Sequence, residues 1–164
     1  MAQGDMFLKI DGARQGAIKG EAQDAGHKGE IDVLGWAWGM EGNLIHGQAT
    51  GKISVRELKF IKQVDMATTG LMSALRNNEV IKKAILTVRK AGATEKPIEY
   101  YSIIMEKGRI TSLIQQSGNE AGAATINEEV SIAFSKVTVE YKPQGNDGQV
   151  RGGTSFEMDI FEGN

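Results

Sequence analysis

The sequence has no cysteine, only 2 prolines in 164 residues, and aromatic side chains at 6%. Without cysteine there are no disulfides, thiolate metal sites or cysteine nucleophiles, and the redox compartment cannot be read. The longest stretch free of polar side chains runs from Val33 to Met40. That is far short of the roughly 20 residues that span a bilayer, so no membrane insertion is expected. Met1 to Asp5 offers neither a basic n-region nor an apolar h-region. The protein is therefore expected to be made in the cytoplasm and, if it leaves the cell, to leave without a cleaved signal peptide. Basic runs are missing too. Nineteen Lys and Arg against 21 Asp and Glu give a net charge of −2, which provides no electrostatic basis for nucleic-acid binding. Lys82-Lys83 and Arg89-Lys90 are isolated pairs and read as a solvated face.

What is present is strand periodicity. The length predicts one domain over 1–164, large enough to bury about two thirds of its unfolded surface. Met6, Leu8 and Ile10 alternate with Lys9 and read as a short first strand; Ile31, Val33 and Trp36-Ala37-Trp38 read as a second strand. Ile53 and Val55 share one parity, Leu58 and Phe60 the other, which predicts a β-bulge near Arg56-Glu57. Val130, Ile132 and Phe134 followed by Val137, Val139 and Tyr141 predict another near Ser135-Lys136. Strands bent in this way suggest a curled sheet. The expected fold is mainly β, an antiparallel β-barrel with one flanking α-helix. The helix follows a Thr68-Thr69 cap, carries Leu71, Met72 and Leu75, and ends at Asn77-Asn78. Further strands are expected at 84–90, 98–105, 110–114 and 154–160, with a loop over 91–96 and a tight hairpin at Glu106 to Arg109. Two longer loops are expected, a flexible one over 142–153 and another over 39–51. The second carries Met40, Leu44 and Ile45 among glycines, poorly covered on a monomer, which suggests a partner surface.

Searching for chemistry excludes more than it finds. Glu21, Asp24, His27 and Glu30 recur every three residues, but the segment has no apolar face to hold a helix, so a solvated turn is expected and no metal site. His46 has no acidic neighbour closer than Glu41 and reads as a surface or interface residue. Gly47 to Ser54 imitates a phosphate loop, yet its glycine spacing is one short, Ile53 stands where Ser or Thr must hold magnesium, and a strand follows. Glu128-Glu129 alternate across a strand and point to opposite faces, unsuited to paired acid–base work. No catalytic set and no cofactor is expected.

Phe7-Leu8-Lys9-Ile10, Gly20-Glu21, His27, Glu30-Ile31-Asp32-Val33 and Trp36-Ala37-Trp38-Gly39 together resemble the haemolysin-coregulated protein (Hcp) family, the tube protein of bacterial type VI secretion. The resemblance continues through Gly51-Lys52, Phe60 to Asp65, the helix at Thr68, Leu86 to Gly92 and Val130 to Tyr141. The sequence departs from the family pattern in a longer Gly12–Ile18 segment and in Ala22, where Ser is usual. A plain member of the family, without an extension carrying a fused toxin, is expected. The resemblance implies a protomer that forms a homo-hexameric ring. Rings would stack into a tube that a contractile sheath and a spike protein drive out of the cell, with secreted effectors held in the lumen. On this reading Met40, Asn43, Leu44, Ile45 and His46 form the subunit-interface loop, and Gln115 and Ser117 border the lumen as effector contacts. A monomeric ligand-binding β-barrel is the alternative, although dense apolar alternation argues that side chains fill the interior.

Overall fold

The computed structural model describes residues 5–90, 98–117, 124–143 and 152–160. The expected loops at 91–96 and over most of 142–153 lie outside these. The described elements are β1 (Met6–Gly12), β2 (Gly16–Ala17), β3 (Ile31–Asp32), β4 (Gly35–Ala37), β5 (Met40–Ile45) and β6 (Gln48–Val55). They continue with β7 (Leu58–Gln63), α1 (Ala67–Arg76), β8 (Ile81–Lys90), β9 (Ile98–Ser117), β10 (Ile126–Tyr141) and β11 (Thr154–Asp159).

One antiparallel sheet runs in the order β2-β1-β8-β9-β10-β7-β4, with β11 on β10 and β3 on β1. Period-two patterning sets its register. Leu8 lies opposite Leu86, and Phe60 opposite Val130, each fully buried. The sheet curls strongly without closing as a continuous ladder. Its two edges approach through residues 31–37, where β3 pairs with β1 and β4 with β7. Between them Val33 N donates to Met6 O at 3.0 Å and Leu34 N to Ile61 O at 2.7 Å. The single strand expected from Ile31 to Trp38 is therefore two short ones, because the chain swaps partner edges at Val33-Leu34.

The interior is filled by Leu8, Ile10, Leu58, Phe60, Leu86, Ile103, Met105 and Val130, among others. Burying each such side chain contributes roughly 1.5–3 kcal/mol. Trp36 stacks on Tyr101 and Trp38 lies against Phe134, both with ring centroids 6.2 Å apart, so both tryptophans pack on the core. Helix α1 buries Ala67, Thr68, Leu71 and Ala74.

Several local expectations are corrected. Arg56-Glu57 is not a bulge but the junction where the chain passes from β6, in a separate two-stranded sheet, into β7. The hairpin expected at Glu106 to Arg109 does not exist, and 98–105 and 110–114 belong to one strand, β9, which pairs with β10 from Tyr101 to Ser117. Gly108 is needed there for close approach rather than for a turn, since a Cβ would meet Ala133 O at 2.6 Å. Register slips between Ser131 and Ile132, with Thr111 as the extra residue on β9. No slip occurs at Ser135-Lys136. The phase change there coincides with a left-handed Lys107 (φ 54°) bonded through its carbonyl to Ser135 Oγ. On β10's other edge, β7 gives way to β11 across the same stretch. Thr68 does not cap α1. Its hydroxyl accepts from Asp65 N, while the Asp65 carboxylate accepts from Ala67 N.

Candidate functional site

The 39–51 stretch read as a loop is mostly a β-hairpin. Among the described residues, strands β5 and β6 pair only with each other, with Met40 opposite Val55 and Ile45 opposite Gln48. His46 (φ 51°) and Gly47 (φ 80°) form the two-residue connection. Positive φ at both central positions is what a type I′ hairpin turn requires, and its twist suits the flanking strands. Gly47 was the legible signal for that turn.

Alternation sends Leu44 and Ile45 to opposite faces of the ribbon. Both are exposed, at 65% and 61%, and so are Met40 and Ile53. Asn43 lies on β5, its amide donating to Ser54 Oγ at 3.2 Å. His46 is exposed at the tip. The five predicted interface residues thus share one projecting element, and all five are exposed. At its root, Arg56 N donates to Gly39 O at 2.9 Å and the Arg56 side chain pairs with Glu41. An open cleft of about 520 Å³ lies there, lined by Ala37, Trp38, Gly39, Arg56, Glu57 and Lys59.

Gln115 and Ser117 stand near the end of β9. Gln115 lies opposite Glu128, and its Nε2 donates to Glu128 Oε1 at 2.8 Å. Ser117 is exposed, opposite Ile126. Sequence reasoning missed what Gln115 is attached to. Lys62, fully buried, pairs with buried Glu128 and reaches Asp65 at 2.8 Å and Thr68 Oγ1 at 3.2 Å. Burial pushes the Glu128 carboxyl up, but hydrogen bonds from Lys62, Gln115 and Thr68 outweigh it and hold the group below its usual value. Lysine at an inward position of an alternating strand, in register with an inward glutamate, was the available signal. As expected, Glu129 points the other way and is exposed.

The segment around His27 is not a simple solvated turn. The His27 ring is buried and stacks on Phe7, centroids 4.4 Å apart. Its Nδ1 faces Glu30 at 3.0 Å and its Nε2 faces Glu99 at 2.5 Å. Arg89, expected on a solvated face, is buried with its guanidinium 4.8 Å from the Phe7 centroid and 2.5 Å from Asp24. The Arg89 hydrogen bond holds the Asp24 carboxyl below its ordinary range, while burial, with Asp65 and Asp24 nearby, pushes Asp32 up. Among the described residues no cluster of three His, Asp or Glu side chains is placed to hold a metal ion. No helix among them is long and apolar enough to cross a membrane.

Comparison with known proteins places these features. Residues 7–141 match the family model described as type VI secretion system effector, Hcp. Protein hcp1 of Pseudomonas aeruginosa is 39% identical over 153 residues, covering 91% of this chain and 90% of that protein. A type VI secretion system effector from Yersinia pestis is 32% identical, with a TM-score of 0.76 over 95% of this chain and 100% of that one. Hcp1 from Salmonella typhimurium is also 32% identical, with a TM-score of 0.74 over 96% and 95%.

Proposed function

Since the chain belongs to the Hcp family of type VI secretion proteins, we propose that it is a structural subunit of the secretion tube. Six copies form a ring, and rings stack into a tube. A contractile sheath drives the tube out behind a spike protein, carrying effectors in its lumen. The subunit is made in the cytoplasm and leaves the cell through this secretion system. The observation that carries this reading is the hairpin. An isolated two-stranded ribbon is marginal in water, yet this one exposes Met40, Leu44, Ile45 and Ile53 on a ribbon that pairs with no other strand among the described residues. Another protomer that covers it supplies the missing stabilisation. A ring needs a heterologous contact, one patch meeting a different patch on the next copy, and a projecting arm suits that geometry. The filled barrel interior argues against a monomeric ligand-binding barrel.

The test is native mass by sedimentation velocity or mass photometry, with electron microscopy of the same sample. Rings at about 106 kDa, six protomers of 17.7 kDa, are expected. Leu44→Asp should yield smaller species or unstacked rings of normally folded protein. A wild-type monomer at every concentration would overturn the tube reading. Stacked rings unaffected by Leu44→Asp would overturn only the role of the arm. For effector contact, Ser117→Gln should reduce co-purification of effectors without changing ring mass.

A further inference from the structure

Residues 20–30 form a compact Ω-like loop whose ends are tied together by Gly20 N donating to Gly29 O at 2.9 Å. Its other backbone hydrogen bonds are also internal. Ala22 N donates to Glu30 O, His27 N to Asp24 O, Gly29 N to Ala22 O, and Glu30 N to His27 O. Side chains fasten it to the barrel instead. Asp24 pairs with Arg89 on β8 at 2.5 Å, and His27 meets Glu99 on β9 at 2.5 Å, with the Phe7 ring stacked on His27 and facing Arg89. At the loop's first end, Glu21 also accepts from Met66 N at 2.8 Å in an exposed bond.

A loop that satisfies its own backbone and is fixed from outside by a few side chains can move without breaking any ladder of the sheet. We infer that residues 20–30 are a strap that lifts from the barrel as one unit, held shut by the Asp24–Arg89 and His27–Glu99 clasps. Gly29, in the left-handed region at φ 80°, is the hinge, while at the other end the chain passes close enough that a Cβ on Gly20 would meet Glu30 O at 2.6 Å. The closed state is imperfect, because the buried Arg89 Nε has no hydrogen-bond partner among the described residues. Lifting uncovers the Phe7 ring and the Arg89 guanidinium, an aromatic and cationic surface that is 1% and 9% exposed when the strap is shut.

Modification of Arg89 by phenylglyoxal in the full chain, located by peptide mass spectrometry, tests this, with hydrogen exchange of the same variant beside it. In Glu99→Ala, which leaves the Asp24–Arg89 pair in place, Arg89 should be modified about tenfold faster. The amides of Ala22, His27, Gly29 and Glu30, whose acceptors lie within the strap, should exchange as before, and so should those of β8 and β10. If Arg89 reacts no faster, the His27–Glu99 clasp does not hold the strap shut. If the four amides accelerate with it, the loop unfolds rather than lifts as one unit, and acceleration in β8 and β10 would show that it opens only with the whole barrel; either result overturns the inference.

Discussion

Barrel and hairpin are built from the same kind of strand but complete themselves differently. In β7 and β10 every inward residue meets one from a neighbouring strand, even the charged ones, since Lys62 lies in register with Glu128. In β5 and β6 apolar residues stand on both faces of the ribbon, and Leu44 and Ile45 are exposed to water. Alternation shows that a strand wants a covered face. It does not show whether the cover comes from the same chain. The barrel's stability is therefore a property of one molecule, and the hairpin's order depends on what it touches.

Four experiments would break or sharpen that contrast. The largest effect should come from Lys62→Met, which leaves Glu128 charged and unpaired in the core. Urea denaturation should show a loss of about 3–5 kcal/mol, with much of it restored in Lys62→Met/Glu128→Leu. Gly108→Ala should cost about 1–3 kcal/mol by the same measure, because the new Cβ is driven against the Ala133 carbonyl. Acid should act on the barrel before the hairpin. Burial pushes both Glu128 and Glu79 up, but hydrogen bonds (to Glu79 from Gln15 and the Arg14 backbone) leave each below its ordinary 4.5. The stability these groups lend is thus complete above that value and is lost as pH falls through the lower folded values. A urea midpoint that stays flat from about pH 7 to about pH 3 would contradict this. Leu44→Asp should change protomer stability least, by within about 0.5 kcal/mol, while altering assembly. A large loss of stability there would mean that the hairpin belongs to the barrel after all.

Which parts of this were legible follows from the same contrast. Parity of apolar residues located β1, β7 and β10, because a half-buried strand must alternate. The extent of β9 was not legible. Glu106-Lys107-Gly108-Arg109 has the composition of a turn, and only the close approach of Ala133 shows that glycine served packing between strands. At 39–51 glycine content suggested a loop where backbone pairing made a ribbon, although the exposed apolar residues named there are the ones that project. Arg89, Lys62 and His27 were misread or passed over for one reason. Their partners, Asp24, Glu128 and Glu99, lie 65 to 72 residues away. Local pattern carries no information about a charge that distant.

The pairing of β1 with β8 also sets a timetable. Leu8 lies opposite Leu86, so during synthesis at roughly 5–20 residues per second the first strand waits on the order of 4–16 s for that partner. Throughout that interval Phe7, Leu8 and Ile10 ride on an unfinished chain. Contact with β3, available once Asp32 has emerged, can shield only one edge at Phe7 and Leu8. Each copy thus passes, as it is made, through seconds in which an apolar strand is open to its siblings on the same polysome.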